Sequence, residues 1–404
     1  MDKFFKISER GSTLRAEIVG GITTFFAMAY IIFVNPNMLS ATGMNFHAVM
    51  LATCISAAIG CFLTALLANA PFAQAPGMGL NAFFTYTICF SMGYTWQQGL
   101  AIVLLSGILF LIIAVSPLRK NLISAIPKFL KNAISAGIGL FIAFIGLLIT
   151  AILLAYKVKG AIFIGILAST LIGIPMGLTV YHPDPFSFSV LGETLGKMSF
   201  TGLTAVDGGV VALLTAIISF ALVDCFDTVG TLIGTAANAG MLDKHGNLPG
   251  GDRALIADAV ATCCGAVLGT STVTTFVESS TGIAEGARTG LSSIVVGVLF
   301  LVSCLLAPVT GIVPSAATAP ALIIVGVLML KGAASIDWND LECAIPAFLT
   351  ISMMPFAYSI SDGIGFGFIS YSIIKVARGK AKEVPVLVYV IAILFILKYI
   401  LTSI

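Results

Sequence analysis

The stretch Phe72-Ala73-Gln74-Ala75-Pro76-Gly77-Met78-Gly79-Leu80-Asn81 breaks into an apolar run with two glycines, a proline, a glutamine and an asparagine. Far downstream, Thr270-Ser271-Thr272-Val273-Thr274-Thr275-Phe276-Val277-Glu278 breaks into another. It is rich in Thr, Ser and Val, a strand composition, and leads into Ser279-Ser280-Thr281-Gly282. In hydrocarbon, irregular backbone is tolerated only where it is buried in protein or lines a cavity. Interrupted segments at similar places in two halves of a chain point to a transporter built from inverted repeats, its site between half-helices. Direct similarity between the halves is weak, so the repeat is inferred from layout.

The rest of the chain agrees with a membrane setting. Of 404 residues, 58% are hydrophobic and 9% charged, against roughly 25% charged in a soluble domain. Too few charges are present to solvate the surface of a soluble enzyme, and the solvent for most of this chain is lipid. Lys and Arg number 20 against 18 Asp and Glu, so no basic field argues for nucleic acid. The eight cysteines lie in or beside apolar runs without zinc-site spacing, and read as small buried hydrophobes. The N-terminal residues 1–11 are polar and charged, without the early apolar run of a signal peptide. Insertion is expected to rely on the spans themselves.

A crossing helix needs about 20 mostly apolar residues. Candidate spans lie at 18–36, 48–68, 72–90, 99–116, 133–154, 161–178, 210–235, 255–269, 270–287, 291–306, 316–330, 344–360, 363–376 and 386–401. Basic residues mark the cytoplasmic side, which puts Lys3, Lys6, Arg10 and Arg15 inside. Four spans later Arg119, Lys120, Lys128 and Lys131 are again inside, as is the cluster Lys375, Arg378, Lys380 and Lys382. One place fails: Lys157 and Lys159 also read as cytoplasmic, yet only 133–154 separates them from the previous basic segment. Either this basic pair is extracellular or a piece of chain is missing around 144–153, and the missing piece is the preferred explanation.

Acids mark the site. Ala221-Leu222-Val223-Asp224-Cys225-Phe226-Asp227-Thr228 carries two ionisable groups three residues apart, on one side of a helix. Each costs about 2.5–3.5 kcal/mol to insert. Glu278 follows the Thr-rich strand, and Asp258 starts the helix between, placed near an interface. Few basic residues lie in these spans to neutralise them. An acid without a counter-charge in low dielectric takes up a proton readily, which suits a proton-coupled carrier. A carboxylate also accepts N–H bonds from a planar heterocycle, with exposed strand backbone completing the pattern. The plainer alternatives are that Asp224 or Asp227 caps a helix break, that Asn81 ties two helices together, and that Phe72 and Phe276 are packing residues, not ring-stacking ones.

The motifs resemble a known family. Arg10-Gly11-Ser12-Thr13, Ala27-Met28-Ala29-Tyr30-Ile31-Ile32-Phe33-Val34-Asn35-Pro36, Ala75-Pro76-Gly77-Met78-Gly79-Leu80-Asn81-Ala82-Phe83-Phe84 and Val223-Asp224-Cys225-Phe226-Asp227-Thr228 are similar to the AzgA-like purine permeases. So are Glu278-Ser279-Ser280-Thr281-Gly282 and Gly286-Ala287-Arg288-Thr289-Gly290-Leu291. These permeases belong to the wider nucleobase–cation symporter family. The resemblance implies an all-α polytopic membrane protein of two inverted seven-span repeats, core against gate, with short antiparallel strands in the third and tenth spans. It assigns 1–131 and 208–307 to the core and 132–207 and 308–404 to the gate, the first gate half shortened near 144–153. It implies import of hypoxanthine, guanine and adenine by proton symport across the inner (plasma) membrane, with a homodimer as assembly and no cofactor. By motif position Asn81, Asp224 and Glu278 are substrate-site residues, and Phe72, Phe276 and Val277 line the pocket. Asp224, Asp227 and Glu278 are the candidates for proton coupling. Family members carry a loop and a further span where the charge parity fails here.

Two other readings remain open at this stage. A sulfate- or bicarbonate-type anion carrier needs a basic or neutral pocket, which the acids oppose. An intramembrane enzyme using Asp224 and Asp227 lacks metal-ligand spacing or a nucleophile–base set.

Overall fold

The computed structural model describes residues 2–115, 188–206, 209–238, 240–242, 248–306, 333–334, 336–356 and 360–402, with Tyr156 and Ile164 besides. Apart from Ile164, the expected spans at 133–154, 161–178 and 316–330 lie outside the described residues, as do Lys157, Lys159 and the shortened stretch at 144–153. Among the described residues, four helical runs are long and apolar enough to cross a membrane: Leu14–Ser40, Phe46–Ala68, Trp96–Val115 and Gly209–Val229. Exposed Leu66, Ile112, Val115 and Val210 lie on their outer faces, as a hydrocarbon solvent allows. The all-α architecture with two short strands holds.

The first run is two helices, α1 (Leu14–Met28) and α2 (Ile31–Ser40), separated by a turn at Ala29 and Tyr30. Thr13 opens α1 by accepting the Ala16 N–H on its hydroxyl. Asn45 does the same for α3 (Phe46–Leu63), which widens into π-helical turns over Thr64–Ala68. It stops at Asn69, left-handed at φ 48°, a conformation that asparagine tolerates better than most residues. Then come β1 (Gln74–Pro76), α4 (Met78–Ala82), itself widened over Phe83–Ser91, and α5 (Trp96–Val115). The second half gives α6 (Gly209–Asn238), α7 (Gly251–Leu268), β2 (Val273–Thr275), α8 (Ser279–Ala284) and α9 (Gly290–Ser303). Last come α10 (Leu341–Phe356), α11 (Ile360–Ala377) and α12 (Val386–Thr402).

The two halves are laced together around the strands. The backbones of α1 and α8 touch where both are glycine: a Cβ on Gly20 would sit 2.8 Å from the Gly282 carbonyl oxygen, the small-residue contact that lets membrane helices close up. At one end of this contact fully buried Glu17 accepts the Arg288 N–H at 2.8 Å and the Thr289 N–H at 3.1 Å, where α9 begins. Asn69 donates to the Phe5 carbonyl at 2.8 Å and accepts from Gly290 N at 2.9 Å. One apolar cluster gathers Phe83, Phe110 and Phe220, and another gathers Phe25, Tyr30, Phe276 and Phe300.

Candidate substrate site at the strand crossing

β1 and β2 are antiparallel, with Gln74 opposite Thr275, Ala75 opposite Thr274 and Pro76 opposite Val273. The flanking bonds, Phe276 N to Ala73 O at 3.0 Å and Gly77 N to Thr272 O at 3.1 Å, set the phase of the ladder. Bonded pairs alternate with non-bonded ones, so the backbone groups of Gln74, Pro76, Val273 and Thr275 point away from the partner strand. Pro76 thus falls where its missing N–H costs the ladder nothing.

A two-stranded sheet leaves both edges open, and helices close them. On the β1 edge, Cys61 Sγ of α3 lies 3.3 Å from Gln74 N and 3.5 Å from Gln74 O. On the β2 edge, the Thr262 hydroxyl of α7 meets Val273 O at 2.9 Å, and Thr275 N donates to Thr228 of α6 at 3.4 Å. Of the outward backbone groups, Gln74 N and O, Val273 O and Thr275 N already have side-chain partners.

Four acids stand around this crossing. Asp258, expected near an interface, is instead about two turns inside α7 and fully buried. The cross-strand partners Gln74 and Thr275 present side chains to one face, and both donate to its Oδ1 at 3.1 Å. Asp224 Oδ2 lies 2.9 Å from the Thr262 hydroxyl, which is also 2.9 Å from Val273 O. A hydroxyl has one hydrogen, and a carbonyl and an ionised carboxylate only accept. Both contacts are therefore bonds at once only when Asp224 is protonated and donates to Thr262. Glu278, at the entry to α8, accepts from the Tyr30 phenol at 2.7 Å. Asp227 is half-buried and close enough to Glu278 for their charges to repel.

Among the described residues, ion pairs engage Glu9, Glu342 and Glu383 and none of these four acids. Asp224 Oδ1, Asp258 Oδ2, Gln74 Oε1 and Thr272 Oγ1 are buried without a hydrogen-bond partner. Asn81 receives the Ser271 hydroxyl on its side-chain oxygen, tying α4 to the approach of β2, and its NH2 group donates to the Met78 sulfur at 3.8 Å, a weak acceptor that leaves its second N–H for another. Phe276 packs against Tyr30 with ring centroids 6.4 Å apart. Val277 is 49% exposed, whereas Phe72 is fully buried, its carbonyl taking the Ser293 hydroxyl at 2.9 Å. Asn81, Asp224 and Glu278 each have a hydroxyl partner, Ser271, Thr262 and Tyr30 respectively. Among the described residues, no group of three or more His, Cys, Asp or Glu side chains is placed to hold a metal ion.

The sequence profile of the Permease family matches residues 15–148 and 144–366. The chain belongs to that family. The guanine/hypoxanthine permease PbuG of Bacillus subtilis is 41% identical over an alignment covering 99% of each chain. The adenine permease AdeP of Escherichia coli is 38% identical over 98% of this chain and 95% of its own. In fold, the permease is similar to the transmembrane domain of a cyanobacterial bicarbonate transporter, BicA, at a TM-score of 0.63 and 14% identity, over 86% of this chain and 97% of that one. It is a multi-pass protein of the inner membrane.

Three elements around the candidate site escaped the sequence reading: Tyr30, Gln74 and the pair Thr228 and Thr262. The threonines did leave a signal. Asp224 and Thr228 on α6, and Asp258 and Thr262 on α7, share a four-residue spacing that sets acid and hydroxyl on one helix face.

Proposed function

We propose that this permease imports purine nucleobases (hypoxanthine, guanine and adenine) together with protons, its core (1–131 and 208–307) moving against its gate (132–207 and 308–404). The observation that carries the reading is Glu278: a buried carboxylate, held by a neutral phenol and paired with no cation among the described residues, beside the joined starts of two half-helices. Such a group accepts N–H bonds from a neutral heterocycle and repels an anion, which speaks against cargo like that in BicA's name. The names of PbuG and AdeP support the same substrate class.

In this reading Glu278 accepts a purine N–H, Asn81 donates through its NH2 group, and Phe276 with Val277 and Phe72 completes the apolar lining. Asp224 is the first candidate for the proton, because the Thr262 hydroxyl is shared between it and a carbonyl; Asp227 and Glu278 are the others. The assembly we put forward is a homodimer. The family match meets itself at residues 144–148, and the alignment with PbuG runs to 442 positions against 404 residues. Both facts support a gate half shortened where the charge parity fails.

The test is uptake of labelled hypoxanthine by cells lacking their own purine permeases, at two external pH values. Saturable uptake that is stronger at acid pH, is competed by adenine and guanine, and returns the purine unchanged is the expected result. If the purified protein binds none of the three purines, the reading is wrong.

A further inference from the structure

The break in the first membrane run places one side chain in the substrate site. Between α1 and α2 the chain turns at Ala29 and Tyr30, and Tyr30 is 1% exposed although it carries a hydroxyl that must be paired when buried. The hydroxyl spends its hydrogen on Glu278 Oε1 at 2.7 Å. The ring lies against Phe276, two residues before that acid.

Glu278 needs this hold. It occupies the position before α8, where its side chain makes no capping bond to the helix it precedes. Locally the carboxylate meets its own backbone N–H, but among the described residues neither a cation nor a helix cap fixes its orientation. The phenol supplies one from another part of the chain, 248 residues away in sequence. Three interruptions therefore converge: the entries to α4 and α8, and the turn between α1 and α2.

We propose that Tyr30 is a positioning residue of the substrate site, fixing Glu278 so that one carboxylate oxygen is committed to the protein and the other is left to accept a purine N–H. This rests on the purine reading above. It makes the first membrane run part of substrate recognition, through the acid and not through direct contact with the purine.

The test uses the purified full-length protein and hypoxanthine as the probe, with calorimetry for affinity and uptake for rate. Tyr30→Phe keeps the ring against Phe276 and removes only the hydroxyl. Its Kd for hypoxanthine rises about tenfold, which is about 1.4 kcal/mol and in the range for a hydrogen bond to a charged group. The maximal uptake rate at saturating hypoxanthine stays within about twofold, so KM moves and kcat does not. Glu278→Asp draws the carboxyl back from the phenol. Adding Tyr30→Phe to it costs less than about twofold more, because the tyrosine acts through that acid.

Unchanged affinity in Tyr30→Phe overturns the proposal, and so does a full tenfold loss on the Glu278→Asp background. A Tyr30→Phe protein that fails to fold overturns it too, by assigning the hydroxyl to the fold. If the unaltered protein binds no purine, the purine reading itself fails; if it binds and Tyr30→Phe binds equally, only the role of Tyr30 does.

Discussion

Glu342 and Glu278 are two buried glutamates at helix starts, and they are satisfied in opposite ways. Glu342, at the start of α10, takes Lys375 at 2.8 Å, Arg378 at 2.9 Å and Lys380 at 2.7 Å. Glu278 takes one phenol, and Asp224 and Asp258 take only hydroxyls and an amide. Removing a carboxylate from water is costly, and a counter-ion offsets that cost far better than a neutral donor does. Glu342 is thereby locked in its charged form and joins α10 to α11. In the proposed reading, the acids at the crossing keep the option of carrying a proton and face a neutral, N–H-rich ligand. The position of the cations separates a structural acid from a working one.

The sharpest way to break this contrast is to neutralise both glutamates. Glu278→Gln is expected to lower hypoxanthine uptake roughly 100-fold or more, since losing one partner of a buried charged contact costs about 2–5 kcal/mol. Glu342→Gln should leave uptake within about twofold. Initial rates at matched surface expression decide it, and an equal loss in both variants erases the distinction.

Asp258 comes next, because it serves both strands. Asp258→Ala leaves the Gln74 amide and the Thr275 hydroxyl without their acceptor, a loss of about 1–3 kcal/mol for each buried donor left unpaired. Asp258→Asn keeps an accepting oxygen. The expected order of thermal midpoints in detergent is wild type, then Asn, then Ala; an Asn variant as unstable as Ala would mean that the negative charge itself holds the strands.

These residues also mark the limit of what was legible. Glu278, Asp224 and Asp227 stood out because an ionisable group in an apolar run has few explanations. The strands were legible from their Thr and Val content and from the glycines and proline around Gln74. Asp258 is misplaced because the expected span opens at 255, whereas α7 opens one turn earlier at Gly251. Tyr30 carried no signal, since tyrosine in an apolar run is ordinary and its partner lies in the other half of the chain. The wide turns at Thr64–Ala68 and Phe83–Ser91 are invisible to composition, because the same residue types fill an ordinary helix.

Thr262 offers a finer probe of the acids. Thr262→Val removes the hydroxyl shared by Asp224 and Val273 O while keeping the volume. Uptake is expected to fall about five- to tenfold, in line with about 1–1.5 kcal/mol for one buried hydrogen bond. Thr262→Ser, which restores the hydroxyl, should recover most of it. Failure of serine to rescue would assign the effect to packing of the methyl group.

The smallest effect belongs to Glu342, and its sign follows from its partners. Hydrogen bonds from Lys375, then Lys380 and Arg378, hold its carboxyl down from 4.5 to about 2, at the charged end of α10 outside the apolar stretch. Because the folded form binds this proton less readily than the unfolded chain, the contribution is fully present above about pH 4.5. It is lost as the pH falls from there toward 2. The gap in thermal midpoint between wild type and Glu342→Gln should therefore be widest near neutrality and close through this acid window. Carboxylates elsewhere titrate in both proteins, so the difference between them isolates Glu342. Arg378 and Lys380 are partly or largely exposed, so added salt should narrow the neutral-pH gap by screening them. A gap that ignores both pH and salt would mean that Glu342 holds α10 and α11 together by packing, and that its three cations are not what distinguishes it from Glu278.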